Sequence, residues 1–235
     1  MIMEIKKLTI IIPAYNEAAT IEQCIKRVIK VKSPGIEKEI IIINDGSKDK
    51  TFDKLSTLKD KGIKIINKHI NQGKGSGIRD AIKIATGDVF IIQDADLEYN
   101  PTEIIKLIKP IKDGLADVVY GSRFMGGEAH RVLLFWHMIG NKFLTLLSNS
   151  LTNLDLTDME TCYKMFTKEV ARKLDIKENR FGFEPEFTVK IARMEARVYE
   201  MGISYSGRNY AEGKKINWSD GLYAVWCLIK YGILE

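Results

Sequence analysis

Short runs of isoleucine, valine and leucine alternate with stretches of helical spacing along the first 125 residues. LTIII (8–12) precedes ATIEQCIKRVIKV (19–31), EIIII (39–43) precedes TFDKLSTLK (51–59), and IKII (63–66) precedes SGIRDAIKIA (76–85). VFII (89–92) then precedes EIIKLIKPI (103–111), and DVVY (117–120) closes the series. Ile21, Ile25, Val28 and Ile29 recur on one helix face, whereas the short runs are apolar at consecutive positions, as strands covered on both faces are. The alternation predicts β-α-β units, and hence an α/β fold with a Rossmann-like, mainly parallel sheet and helices on both faces.

Sheets of this kind bind ligands beyond the carboxyl ends of their strands. Those ends read PAYNE (13–17), NDGS (44–47), NQGKGSG (71–77), DADLE (94–98) and GSR (121–123). Asn44 and Asp45 stand where an acidic group can accept bonds from a ribose. Gly73, Gly75 and Gly77 open a helix whose free N–H groups suit phosphate. Asp94 and Asp96 follow their strand two residues apart, and on an extended chain such residues point the same way, aiming two carboxylates together. Each piece alone is weak: Asp-x-Asp and NDGS are common in turns, and GKGSG matches neither the P-loop nor the dinucleotide fingerprint. Their shared location carries the information.

The chain has 235 residues, 45% apolar and 29% charged, which suits one globular domain with appendages. The 36 basic against 31 acidic side chains fit an anionic small ligand or an anionic membrane surface. No basic run is interleaved with aromatics, so nucleic acid is not an expected partner. Cys24, Cys162 and Cys227 are odd in number, far apart and in no C-x-x-C pair, which argues for a reducing cytoplasm rather than a disulfide framework or a zinc site. LTIIIPAYNE is too soon interrupted for a signal peptide, and no apolar run is long enough to span a membrane.

With the five segments in this order the chain resembles inverting glycosyltransferases of family 2, GT-A type. Within them it is most similar to the dolichol-phosphate mannosyltransferase and polyprenyl-phosphate glycosyltransferase branch. The resemblance runs from Leu8 to about Gly213 and takes in Arg131, DMETCYKMF (158–166), FGFEPE (181–186) and Arg208 ahead of EGKK. It implies a GT-A domain over 1–213, with a nucleotide-sugar half to about 125 and an acceptor half over 126–213, and interfacial helices followed by a helical tail over 214–235. It also implies that Pro13, Ala14, Tyr15, Glu17 and Asp45 hold the nucleotide, with Gly73, Lys74, Ala95, Arg208 and Lys214 beside the donor. Asp94 and Asp96 would hold Mg²⁺ or Mn²⁺ on its diphosphate. Arg123, Arg131 and Arg208 would serve the transfer with the aspartates, and Arg123, Arg131 and Lys164 would surround the acceptor phosphate, with Lys215 a further candidate. The chain departs from the branch at Glu98, often Gln, and at Thr161-Cys162-Tyr163-Lys164, often Ser-Gly-Phe-Arg. Lysine keeps arginine's charge but not its bidentate fork.

His130, His137, Asn141, Thr145 and Ser148 repeat at helical spacing through a segment otherwise rich in Leu, Phe, Trp, Met and Ile. Such a helix is either buried against the core or a dimer contact, or else lies in a membrane interface with its polar stripe facing the site. The resemblance favours the interface, because the branch takes its acceptor from the bilayer. The tail NWSDGLYAVWCLIKYGILE has an apolar stretch of about ten residues, too short to cross a bilayer.

The expected activity is metal-dependent inverting transfer of a sugar from a nucleotide-sugar, of the GDP-mannose or UDP-glucose type, to a dolichyl or undecaprenyl phosphate. The protein would sit peripherally on the cytoplasmic face of the membrane. A phosphate monoester, with a second pKa of about 6, is already largely ionised and needs no general base. Transfer to a saccharide hydroxyl is the nearest alternative and would need one, for which Asp158, Glu160 and Glu184 are candidates. From another class, a noncatalytic nucleotide-sugar or lipid-surface module would bind without turnover. A nucleotidyltransferase would carry a G-x-G-T-R loop, which IIPAYNEAAT is not.

Overall fold

The computed structural model describes every residue except 1, 2, 59–61, 128, 133, 210, 211, 216 and 217. Its sheet has seven strands: β1 (Lys7–Ala14), β2 (Glu37–Asp45), β3 (Ile63–Lys68), β4 (Val89–Ile92), β5 (Val118–Ser122), β6 (Lys164–Thr167) and β7 (Val198–Gly202). They lie in the order β3-β2-β1-β4-β6-β5-β7. All pairings are parallel except those of β6, which runs antiparallel between β4 and β5.

The consecutive isoleucines explain the layering. In β1, Leu8, Ile10 and Ile12 point to one face with Ile40, Ile42 and Ile91, while Ile11 points to the other with Ile41, Ile43 and Ile92. Both faces are therefore apolar and both need cover. On the first face α1 (Ile21–Lys30) buries Ile21, Cys24, Ile25 and Val28, beside α2 (Thr51–Ser56) and α4 (Ile104–Lys112). On the second lie α3 (Lys74–Ile84), α5 (Phe135–Thr152), α6 (Lys168–Lys173), α7 (Phe183–Arg193) and α8 (Trp218–Ile229), the last running into a π-helical turn at Lys230–Leu234. Each fully buried Ile or Leu contributes about 1.5–3 kcal/mol by leaving water.

The polar stripe expected from His130 begins later, because α5 starts at Phe135 and His130 forms an isolated bridge with Tyr205. Helices α5, α7 and α8 pack on one another, which places the tail against the body. No helix among the described residues is long and apolar enough to cross a membrane.

Candidate active site

The carboxyl ends of β1, β2, β4 and β5 open into a cleft of about 900 Å³, closed on its far side by α5 and α8. Pro13, Ala14, Tyr15, Glu17 and Asp45 line it from β1 and β2, and Asp94, Ala95 and Asp96 from the segment after β4. The two aspartates converge, but not by strand alternation: β4 ends at Ile92, and residues 95–96 form a turn in which Asp96 Oδ1 accepts the Glu98 N–H at 3.1 Å.

The glycine loop is fixed before any ligand arrives. Asp45 accepts the N–H groups of Gln72 at 3.0 Å and Gly73 at 2.7 Å. Gly73 has φ +99°, and a Cβ there would come within 2.3 Å of the Asn179 carbonyl oxygen, so only glycine lets the loop pass. At the start of α3, Lys74 reaches three groups of the cleft: Asp94 at 3.1 Å, Glu184 at 3.0 Å and the Cys162 thiol at 2.8 Å. Burial disfavours its charge, but Asp94, Cys162 and Glu184 outweigh this and hold the ammonium well above its usual range.

Around Asp96 the carboxylates crowd. Arg208 bridges Asp96 at 3.2 Å and Glu17 at 3.1 Å, and its backbone N–H donates to Glu98 at 2.6 Å. Lys215 donates to Glu17 at 2.7 Å and to the Tyr15 carbonyl. Burial raises the Glu17 carboxyl, yet the bonds from Lys215, Arg208 and Thr20 leave it below its usual value. Asp96 is pushed up to about 8 by burial and by the Asp94 and Glu98 carboxylates, against Arg208. Two hard oxygen donors that repel each other and face a cleft are a fitting set for a divalent cation. Among the described residues no group of three or more His, Cys, Asp or Glu side chains could hold a metal ion.

Three basic residues behave differently from one another. Arg123 lines the cleft, but its Nε and Nη2 are both committed to the buried Asp158 at 2.7 Å. Arg131 does not line the cleft; it pairs with Glu212 at 2.7 Å in solvent. Lys164, expected at the acceptor phosphate, is fully buried behind the site, donates to the carbonyls of Met159, at 2.9 Å, and Thr161, and lies over the Tyr120 ring. Those carbonyls take two of its three N–H donors, and it does not line the cleft where the acceptor phosphate was expected to bring it. Lys214 and Lys215 line the cleft, and burial lowers Lys214 from its usual value.

The wall of the cleft formed by α5 and α8 is mainly apolar. Trp136, Gly140 and Leu144 of α5 and Trp218, Gly221 and Ala224 of α8 line it, with His137 and Asn141 of the polar stripe and Asp220 of α8 as its polar members. Outside, Phe143 and Leu146 continue on α5, and Leu222 and Trp226 on α8, all exposed. Sequence reasoning missed Arg180, Tyr205 and Tyr99 as cleft residues. Tyr99 stacks on Tyr163 at 4.7 Å and accepts the Cys162 N–H. A tyrosine directly after DADLE was the available signal; Arg180 and Tyr205 had none.

A mainly parallel sheet, a glycine loop opening a helix and an acidic pair at the strand ends define a glycosyltransferase of the GT-A fold. The chain belongs to glycosyl transferase family 2, which it matches over residues 9–175. It is 30% identical to a dolichol-phosphate mannosyltransferase of Pyrococcus furiosus over 89% of its own length and 60% of that protein. It is 27% identical to the undecaprenyl-phosphate 4-deoxy-4-formamido-L-arabinose transferase of Proteus mirabilis, covering 90% of this chain and 63% of that one. The chain thus spans somewhat under two thirds of these relatives. Among solved structures, glucosyl-3-phosphoglycerate synthase of Mycobacterium tuberculosis, crystallised with Mn²⁺ and UDP-glucose, superposes with a TM-score of 0.74 at 16% identity, covering 97% of this chain and 79% of that one. That likeness shows the fold.

Proposed function

We propose that this domain transfers one sugar from a nucleotide-sugar to a polyprenyl phosphate, with inversion at the anomeric carbon. The observation that carries the reading is the two-ended cleft: carboxylates and cations at the strand ends, and an apolar end between α5 and α8 that opens beside exposed aromatic residues. A lipid phosphate has the same two ends. The names of the relatives from P. furiosus and P. mirabilis support the same acceptor class.

In this reading Pro13, Ala14, Tyr15, Glu17 and Asp45 hold the nucleoside, in the donor half to about residue 125. Gly73, Lys74, Ala95 and Arg208 border the diphosphate, and the acceptor half, over 126–213, meets the tail, over 214–235, at α5 and α8. Asp94 and Asp96 would hold Mg²⁺ or Mn²⁺, which supplies Lewis-acid neutralisation of the leaving diphosphate. Arg208, now shared among carboxylates, is placed to turn toward phosphate oxygens, and Lys214 and Lys215 flank it. The acceptor's ionised phosphate attacks without a protein base. Asp158 is unsuited to that task in any case, being buried on Arg123. The domain would rest peripherally on the cytoplasmic face of a membrane.

The test is a radiolabelled transfer assay offering GDP-mannose, UDP-glucose and UDP-N-acetylglucosamine in turn, with undecaprenyl phosphate and either Mn²⁺ or EDTA. Metal-dependent label in the lipid fraction from one donor is the expected result. Metal-dependent donor hydrolysis without lipid label would overturn the acceptor assignment in favour of a saccharide hydroxyl.

A further inference from the structure

Two carboxylate oxygens buried beside the cleft, Oε1 of Glu160 and Oε2 of Glu184, have no hydrogen-bond partner among the described residues. Their neighbour Glu186 shows how this fold otherwise treats a buried glutamate. Fully buried two residues along α7, it accepts the N–H groups of Lys177 and Glu178, both at 2.7 Å, and pairs with Lys190. A buried acceptor left unfilled costs free energy, so the two bare oxygens at the cleft call for a ligand that fills them.

We propose that Glu160 and Glu184 bind hydroxyl groups of the donor's sugar and decide which sugar is accepted. The proposal rests on the glycosyl-transfer reading and assigns its sugar subsite to residues. The nucleoside side of the cleft is built from β1 and β2, whereas Glu160 comes from the loop before β6 and Glu184 from the first turn of α7. Between the two sides stands Asp94, and Lys74 joins it to Glu184 through contacts of 3.1 and 3.0 Å. A diphosphate at Asp94 and Asp96 carries its sugar one bond from the terminal phosphate, which brings the ring toward Glu184. Hydroxyls both donate and accept, so they suit these carboxyls whether ionised or protonated. An ionised acceptor phosphate offers no N–H or O–H of its own, so it cannot fill a bare acceptor oxygen as a hydroxyl can. A site that hydrogen-bonds a substrate hydroxyl discriminates strongly against the analogue lacking it.

Calorimetric titration of the full chain in Mn²⁺ tests this, with UDP, GDP, UDP-glucose, GDP-mannose and their deoxy-sugar analogues as probes. Glu160→Gln and Glu184→Gln should leave the Kd for the nucleoside diphosphate within about twofold while raising that for the nucleotide-sugar tenfold or more. Removing the hydroxyl that one glutamate binds should weaken wild-type binding about tenfold and leave that glutamate's variant unaffected. Equal weakening of the diphosphate and the nucleotide-sugar would overturn the proposal, since the glutamates would then only support the diphosphate end, as Glu184 does through Lys74. So would wild-type affinity indifferent to every deoxy analogue, a measurement that needs no variant to fold. Wild type that binds no nucleotide at all would overturn the glycosyl-transfer reading itself, and this proposal with it.

Discussion

Arg123 and Asp158 meet in a two-pronged ion pair, Nε to Oδ2 and Nη2 to Oδ1, each at 2.7 Å, and the Arg123 backbone N–H adds a third bond to Oδ2 at 2.9 Å. Asp158 is fully buried, and the guanidinium lies against the Phe124 and Tyr205 rings. Removing one partner of such a pair strands the other charge. Asp158→Ala should therefore lower stability by about 3–5 kcal/mol, read as a fall in the urea midpoint without a change of slope. An unchanged midpoint would contradict the burial of the pair.

The first five strands and the four helices between them were legible because unbroken isoleucine runs such as Ile40–Ile43 have no other stable use than a strand covered on both faces. Strand β6 was not. It is four residues long and begins with Lys164, whose charge reads as a surface position. The Met159 and Thr161 carbonyls that accept its ammonium come from a turn whose shape only the folded loop creates. Arg131 is held outside the cleft by a partner, Glu212, that lies 81 residues away and that local sequence does not announce. By contrast Asp94, Asp96, Asp45 and Glu17 all line the cleft, because strand ends of a parallel sheet converge whatever the loops do. The local geometry of the aspartate pair, a turn rather than an extended chain, was beyond that argument.

Glu39 offers a pH test away from the site. Its carboxylate accepts Thr9 Oγ1 at 2.6 Å and the Thr86 N–H at 2.8 Å, and pairs with Lys64 at 2.7 Å. Burial works against ionisation, but Lys64 and these bonds prevail and hold the carboxyl down to about 2. A depressed folded-state pKa stabilises above the unfolded value and is lost as pH falls toward the folded one. Wild type should exceed Glu39→Gln by roughly 1–2 kcal/mol at pH 7, a figure reduced for water screening at the exposed Lys64. The gap should close between about pH 5 and pH 2. Urea melts of both proteins across that range check it, and a gap independent of pH would refute it.

The three thiols should be inert in the folded protein. Burial pushes Cys24 and Cys227 up to about 12, and burial with the Asp94 charge carries Cys162 well above the usual thiol value despite Lys74 nearby. At pH 8 the thiolate fraction at a pKa of 12 is about 10⁻⁴, so iodoacetamide should add nothing within minutes, and three groups once urea is present. Intact-mass spectrometry reads the count. Rapid single modification of the native chain would show that Cys162 is a thiolate activated by Lys74.

Phe143 and Leu146 on α5 and Leu222 and Trp226 on α8 form an exposed apolar face outside the cleft. Helices α5 and α8 that carry them pack together. Apolar area of this kind, with tryptophan in it, suits the boundary between lipid headgroups and acyl chains. Each large side chain that leaves water contributes about 1.5–3 kcal/mol when fully buried, and less at an interface. Replacing all four by serine should therefore weaken flotation with anionic vesicles by about 10²-fold or more, each contributing roughly half its full burial. Transfer to a short-chain, water-soluble prenyl phosphate should persist, because none of the four lines the cleft. If the wild type instead sediments as a dimer that the variant dissolves, and vesicles capture neither, a second copy covers this face and the membrane assignment fails.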